Sequence, residues 1–296
     1  MNLIDEIKTS FKQGSSLTKL IYINLCVFLG IKIVQIFFFL FNTPEGSESF
    51  IRWLAAPSNL SELIRKPWTV LTYMFVHEGF LHILFNLLWL FWFGKIFLEY
   101  LDQKKLTGVY ILGGLSGAFL YVFSFNVFPV FDSIAAESIA IGASAAVIAI
   151  VIAISVYVPN YTVYLLFFGP VKIKYIAILI FIFTSVLDFS TNTGGKIAHI
   201  GGALFGFIYI HRYRKGTDIS KGLSWILGRF LSFFKPKVKL KVEHKRPVND
   251  MEYNKMKARE QEEINRILDK ISKAGYDSLT REEKKILFNM GEKNKN

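Results

Sequence analysis

The chain has 296 residues, of which 52% are hydrophobic and 16% aromatic, and it carries a formal net charge of +12. Several apolar runs of membrane-spanning length exclude a soluble globular protein. Because the chain has a single cysteine, Cys26, it cannot form an internal disulfide bond or a metal site made of cysteines. Most of the positive charge lies beyond Arg212, and no nucleic-acid-binding motif accompanies it, so we expect anionic lipid rather than nucleic acid at this tail.

Six apolar segments are predicted to be transmembrane helices, which gives an all-α, polytopic membrane protein. They are residues 20–41, 81–101, 106–125, 141–158, 173–189 and 197–210. The shortest could barely cross a hydrocarbon core about 30 Å thick at a rise of about 1.5 Å per residue. The predicted regions are an N-terminal segment (1–19), a six-helix membrane domain (20–213), a basic juxtamembrane linker (214–250) and a helical hairpin (251–296).

The charges of the short loops predict the orientation. Basic residues follow the second and sixth segments and open the fifth, whereas the stretch before the fourth carries only acidic charges. Because loops rich in Lys and Arg usually lie on the cytoplasmic side of a membrane, we expect both termini, and the helical tail with them, in the cytoplasm. We find no targeting signal before this compact core, so we expect the inner membrane of a bacterium.

Polar side chains interrupt the second, fourth and sixth segments near their first turns. They are His82 with Asn86, Ser144, and His199. In the predicted topology these three segments run in the same direction, so the four side chains should share one depth near the outer face. Polar groups inside a bilayer are costly and usually serve a function.

Ser144 is the candidate nucleophile. A serine hydroxyl needs an adjacent base, and a position in the first turn of a helix leaves backbone N–H groups free to hold a negative oxygen. The alternative is a serine that hydrogen-bonds its own helix backbone. Small neighbours, Gly142 among them, favour the functional interpretation because they allow another helix to approach closely.

His199 is the candidate base, since its ordinary pKa of about 6.5 suits proton exchange near neutral pH. Gly202 and Gly206 form a small-residue face after it, and packing of that face on the fourth segment would bring His199 beside Ser144. The spacing of the sequence does not place any carboxylate beside the imidazole, although Asp188 could approach it. We therefore predict a dyad; a structural histidine is the alternative.

His82 and Asn86 are four residues apart, so they project from one face of a helix. Together with the backbone of Ser144 they could donate hydrogen bonds to an oxyanion. A polar clamp between helices is the alternative. A metal site made by His77, His82 and His199 is disfavoured because no carboxylate or second i,i+4 histidine completes a ligand pattern, so we expect neither metal nor cofactor.

The tail beyond the sixth segment is predicted to be mainly helical. Residues 219–234 resemble an interfacial helix, and 235–246 could be a lipid-binding strap or a solvated linker. A charged amphipathic helix follows at 251–273, Gly275 ends it, and a capping box at 280–283 opens another. The apolar stripe of the first of these two helices comprises Ile264, Ile267, Leu268 and Ile271.

Over residues 67–212 the chain resembles the rhomboid intramembrane serine proteases. Three motifs match in order: His-x4-His-x3-Asn at His77, His82 and Asn86; Gly-x-Ser at Gly142 and Ser144; and Ala-His-x-x-Gly at Ala198, His199 and Gly202. Three positions depart from the family pattern, namely Thr69 after Trp68, Ala145 after the serine, and Ile148 where several members carry a tyrosine.

The resemblance implies a six-helix rhomboid-like bundle that cleaves single-span membrane proteins. In it Ser144 would be the nucleophile, His199 the base, and His82 and Asn86 the oxyanion donors, with Gly142, Gly202 and His77 in support. It also implies a water-filled cavity gated by the fifth segment. The alternative is a catalytically silent rhomboid-like adaptor that binds transmembrane helices. A transporter is disfavoured because neither an embedded carboxylate pathway nor a repeat of broken helices is found.

Overall fold

The computed structural model describes residues 3–187, 190–223, 225, 229 and 250–293. These residues are mostly helical and belong to two compact units, Met1–Lys235 and Pro236–Asn296. The described part of the first unit includes the α-helices α1 Leu3–Gln13, α2 Ser16–Leu40, α3 Pro44–Leu54, α4 Leu60–Arg65, α5 Thr69–Thr72, α6 Phe80–Tyr100, α7 Gln103–Val127, α8 Ser144–Tyr157, α9 Ile173–Ser185 and α10 Thr193–Arg214, and the 3₁₀ helices Tyr73–Phe75 and Pro129–Phe131.

Two short antiparallel pairs of strands connect parts of this unit. β1 (Ala56–Pro57) pairs with β2 (Ile139–Ala140), which ties the segment before α6 to the run that leads into α8. β3 (Thr162–Leu165) and β4 (Gly169–Lys172) form a hairpin between α8 and α9.

Each of the six apolar segments contains a helix in its described part, and the helix of the fifth ends earlier than predicted, at Ser185. Among the described helices, α2, α6 and α7 are long and apolar enough to cross a membrane, whereas α8 and α9 are apolar but shorter. α8 begins three residues later than predicted because Gly142 has a φ of +119°, outside the helical region. α10 begins earlier than predicted because the side chain of Asn192 caps it by accepting from Gly195 N–H.

The long segment at 43–80, between the first two apolar segments, contains three α-helices (α3, α4 and α5) and the 3₁₀ helix Tyr73–Phe75. Its turns are held by side chain to backbone bonds: Trp68 donates to Trp53 O (2.9 Å), and Thr72 donates to Leu54 O (2.6 Å). Thr69, one of the departures from the family pattern, donates to Lys66 O (2.6 Å). The segment is therefore anchored through several separate contacts.

Glycine and alanine allow α8 to pack closely between α7 and α10. A Cβ on Gly206 of α10 would lie 2.3 Å from the carbonyl oxygen of Ala149 on α8. On the α7 side, a Cβ on Gly113 would lie 2.3 Å from the Cβ of Ala149. Small residues at such positions let helix backbones approach closely. The predicted contact between the small face of α10 and α8 is confirmed.

Gly206→Ala is expected to lower the thermal unfolding temperature of the solubilised protein. The new methyl group would overlap a backbone oxygen, and overpacking of this kind costs about 1–3 kcal/mol. Gly30→Ala is the matched control, because a Cβ there meets nothing within 4 Å and alanine favours the helix. Equal melting temperatures for the Gly206 variant and the wild type would contradict this packing.

The second unit consists, in its described part, of α11 (Asp250–Ala274) and α12 (Arg281–Lys293). The capping box is present: Thr280 N–H donates to the Glu283 carboxylate (2.8 Å), and Glu283 N–H donates to Thr280 Oγ1 (3.3 Å). Lys270 and Thr280 lower the pKa of Glu283 to about 2. Of the predicted apolar stripe, Ile267 is buried, whereas Leu268 is exposed because it lies off the packed face.

Candidate active site

Ser144 is the first residue of α8, directly after a backbone turn that only glycine adopts readily. Gly142 has a φ of +119°, and its N–H donates to Tyr73 O (2.9 Å). The chain therefore enters α8 with the Ser144 side chain on the wall of a cavity. The N–H groups of the first helical turn lack intrahelical partners, so they form a source of hydrogen-bond donors at this point.

His199 on α10 contacts this serine directly. Its Nε2 lies 2.6 Å from Ser144 Oγ, and its Nδ1 lies 3.0 Å from the backbone carbonyl oxygen of Thr184. A carbonyl can only accept, so Nδ1 carries the proton and Nε2 is the acceptor of the serine O–H. The imidazole thus has the tautomer and the position that a general base for Ser144 requires.

The close approach of the two helices depends on the glycine after His199. A Cβ on Gly202 would lie 2.1 Å from the carbonyl oxygen of Ala145, the residue next to Ser144. Any larger residue would push α10 away from α8 and lengthen the contact between the two side chains. Gly202 therefore acts through packing, as the sequence predicts.

The Thr184 carbonyl is a contact that sequence reasoning missed. It lies in the last turn of α9, where carbonyl groups have no intrahelical partner, and a backbone atom leaves no signal in the residue type. Among the described residues no carboxylate hydrogen-bonds to His199, and Asp188 lies outside the described residues. Ile148 lines the same cavity. The orientation of the imidazole thus comes from α9.

Asn86 and His82 are on the wall of the same cavity, on α6. Asn86 is buried and donates one amide hydrogen to His82 O (2.8 Å), which leaves its second amide hydrogen for another acceptor. The His82 ring packs on Gly142, where a Cβ would lie 2.9 Å from its Nε2. Among the described contacts, neither side chain hydrogen-bonds to Ser144 or His199.

His77 supports the turn that precedes Ser144. Its ring is buried, Nδ1 lies 3.2 Å from Phe75 O, and Nε2 accepts a long bond from Ala143 N–H (3.5 Å). The ring centre lies 5.1 Å from that of His82. In the described part of the chain, no three His, Cys, Asp or Glu side chains are grouped as metal ligands would be.

The cavity has a volume of about 360 Å³ and lies between α6, α8, α9 and α10. Apolar side chains form most of its wall. Its lining comprises Leu81, His82, Phe85, Asn86, Trp89, Ile141, Ser144, Val147, Ile148, Val151, Ile180, Thr184, Asn192, Gly195 and His199. A mainly apolar cavity with a few converging polar groups is typical of a ligand site.

Lys196, one turn before His199, connects α10 to the end of α9. Its side chain is almost fully buried, and its Nζ donates to Leu187 O (2.9 Å) and Thr191 Oγ1 (3.4 Å). Because Leu187 directly follows the α9 turn that contains Thr184, this ammonium group holds the chain that orients His199. Lys196 is therefore a positioning residue.

Residues 65–215 match the Rhomboid domain family, and residues 249–291 match a family of unknown function, DUF6576. The chain is also 31% identical, over 87 residues, to a protein named Rhomboid protease GlpG from Pectobacterium atrosepticum. That similarity covers 29% of this chain and 31% of the relative's length. The Rhomboid match covers about half of the 296 residues, and the chain therefore belongs to the rhomboid family of intramembrane proteases.

Proposed function

We propose that the protein is an intramembrane serine endopeptidase that hydrolyses peptide bonds in or near the transmembrane segments of other membrane proteins. The observation that carries this proposal is the 2.6 Å contact between Ser144 Oγ and His199 Nε2 on the wall of a cavity. The family membership and the similarity to a rhomboid protease support the same activity.

In the proposed mechanism His199 acts as base and then as acid. Its Nε2 takes the hydroxyl proton while Ser144 Oγ attacks the carbonyl carbon of the scissile bond. As the C–N bond breaks, the imidazole gives that proton to the leaving amine. A water molecule then loses a proton to His199 and attacks the acyl group on Ser144. As the ester bond breaks, His199 returns this proton to Ser144 Oγ, which releases the second product and restores the dyad. The bond to Thr184 O stabilises the imidazolium in both steps.

The proposed oxyanion site combines the first turn of α8 with α6. The N–H of Ser144 and the positive end of the α8 dipole face the site where negative charge develops. Asn86, with its second amide hydrogen, and the ring of His82 line the same cavity as Ser144, and the His82 ring packs on Gly142. In this proposal, these donors hold the oxygen of the tetrahedral intermediate.

Asn86→Ala is expected to lower kcat by about 100- to 1,000-fold, the usual cost of losing one oxyanion donor, with little change in KM. Asn126→Ala is the control for the loss of a structural amide, because Asn126 on α7 donates to Val122 O of its own helix (2.8 Å) and to Ser58 O (2.7 Å), and it does not line the cavity. The kcat of both variants is measured by cleavage of a single-span reporter. An equal fall in kcat for the two would indicate a purely structural role for Asn86.

Lys196→Met is expected to lower kcat by about 100-fold, because release of the α9 end would misplace the imidazole. Lys196→Arg should recover part of the loss, since a guanidinium can still donate to Leu187 O. Lys95→Met controls for the loss of a lysine from a helix, because Lys95 is exposed on α6 and its described contact is with the Phe91 ring. Wild-type kcat for Lys196→Met would contradict the positioning role.

We further propose that all six apolar helices cross the membrane. α8 has 14 residues, about 21 Å in length, which is shorter than a hydrocarbon core of about 30 Å. Most of its side chains are buried against neighbouring helices, so its ends need not reach the lipid surface. Both termini would lie in the cytoplasm of a bacterial cell, with the cavity open towards the outer face.

The proposed substrates are single-span membrane proteins that reach the cavity past α9. This helix exposes apolar side chains to the lipid, namely Tyr175, Ile178, Leu179 and Phe183. It forms one wall of the cavity and also carries the carbonyl that orients His199. Residues 1–19, 214–250 and 251–296 are proposed as cytoplasmic regions around the membrane domain at 20–213, with anionic lipid as a partner of the basic part.

Labelling with a fluorophosphonate distinguishes this proposal from a silent adaptor that only binds transmembrane helices. The wild-type protein in detergent should form a covalent adduct, because the reagent reacts with a serine activated by an adjacent base. Ser144→Ala should form none. Absence of an adduct on the folded wild-type protein would favour the adaptor.

A further inference from the structure

The turn of the β3–β4 hairpin consists of three apolar residues that the described protein leaves uncovered. Leu165 pairs with Gly169, whose φ of +68° suits glycine, and the chain reverses through Leu166, Phe167 and Phe168. The exposed fractions of these three side chains are 90%, 88% and 80%. We call Leu166–Phe168 the hairpin tip.

This composition is unusual for a turn in contact with water. Hairpin turns are normally built from Gly, Asn, Asp, Ser and Pro, and three consecutive exposed apolar residues indicate a surface that binds something. Tyr164, on the outward face of β3, is also exposed (81%) and extends the apolar surface towards the tip.

Contacts at the base of the hairpin place it where membrane meets water. Ile173 N–H, at the start of α9, donates to Tyr161 O (2.8 Å). The Tyr161 ring lies 6.1 Å from that of Tyr100, which in turn lies 6.5 Å from that of Tyr157. Tyrosines at helix ends are typical of the membrane interface, where the ring meets lipid and the hydroxyl meets water.

Charge and continuity both indicate lipid as the occupant of the tip. Lys172, at the base of β4, and Lys174, in the first turn of α9, carry cations where anionic headgroups would lie. The exposed apolar face of α9, including Ile178, begins at the same base and is the lipid-facing surface of a membrane protein. The base of the hairpin therefore lies at one end of the surface that faces lipid.

We propose that the hairpin tip is inserted into the bilayer beside α9 and anchors the start of that helix. The tip side chains enter the lipid, whereas the two strands stay among the headgroups, because the unpaired edges of a two-stranded hairpin would lack hydrogen-bond partners in hydrocarbon. Four-residue strands reach about 13 Å, enough to carry the tip from the base to the acyl chains.

Spin-label accessibility tests this insertion. In a Cys26→Ala background, Phe167→Cys is spin-labelled and the full chain is reconstituted in vesicles of phosphatidylethanolamine and phosphatidylglycerol. Collisions of the label with oxygen, which concentrates in lipid, are compared with collisions with a water-soluble nickel chelate. Ile178→Cys on the exposed face of α9 is the lipid reference, and Glu262→Cys, exposed on α11, is the water reference.

The label at position 167 is expected to match the Ile178 reference, with an oxygen-to-nickel collision ratio several-fold above that at Glu262. Nickel collisions at the level of the Glu262 reference would place the tip in water and overturn the proposal. Low collision rates with both reagents would show that protein, such as a second copy of the chain, covers the tip. That result would also overturn the proposal. Separate labels at Leu166 and Phe168 must give the same pattern, which guards against a local effect of one substitution.

Discussion

His199→Gln is expected to lose nearly all cleavage of a single-span reporter, by up to about a million-fold in kcat. Loss of the base from a serine protease has a cost of this order, because the hydroxyl then has no acceptor for its proton. Glutamine is similar in size and can still donate to Thr184 O, but it cannot take a proton from Ser144 near neutral pH. The variant should therefore fold normally and bind substrate with little change in affinity.

His211→Gln is the matched control for this substitution. His211 is on the same helix, in its last turn, and its side chain is exposed. We expect wild-type cleavage from this variant. Comparable rates for His199→Gln and His211→Gln would contradict the proposed base, whereas a loss restricted to His199→Gln would support it.

The geometry around His199 explains how a dyad could operate here without a carboxylate. In many serine hydrolases a third group fixes the imidazole, and in this protein the described partner of Nδ1 is the Thr184 carbonyl. Because that carbonyl belongs to α9, the helix proposed to admit substrate also sets the position of the base. Lys196 joins α10 to the chain just after α9 through Leu187 O, so in the proposed mechanism a movement of α9 would also displace His199.

Much of the candidate site could be predicted from the sequence because its signals are side chains. The spacing of His82 and Asn86 assigns them to one face of α6, and the structure has both on the cavity wall. The glycines after His199 predict the close contact with α8, which is present. The structure also brings His199 and Ser144 together, although their catalytic roles remain predictions.

The features that the sequence did not yield depend on backbone geometry. The Thr184 carbonyl has no residue-type signal, and the late start of α8 follows from the φ of Gly142 rather than from hydrophobicity. The helices within 43–80 are short and mixed in charge, so no apolar pattern marks them. Lys196 carries no signal in the sequence either, because a lysine in the first turn of a helix is ordinarily solvated, whereas here it is nearly buried against the end of α9.

Ser144→Ala is the other substitution with a very large expected effect, because it removes the atom that would form the covalent bond with substrate. Combined with His199→Gln it should cost no more than either substitution does by itself, since the two groups act as a unit. Ser155→Ala is its matched control. Ser155 is buried on the same helix, and its hydroxyl has no hydrogen-bond partner among the described residues, so its removal should leave folding and cleavage intact.

The most direct measurement is cleavage of a single-span reporter, in vesicles, by the wild-type protein, Ser144→Ala and Ser155→Ala. We predict that the wild type and Ser155→Ala cleave at similar rates and that Ser144→Ala gives no product. Undiminished cleavage by Ser144→Ala would contradict the account, because the peptide bond would then be broken without the proposed nucleophile.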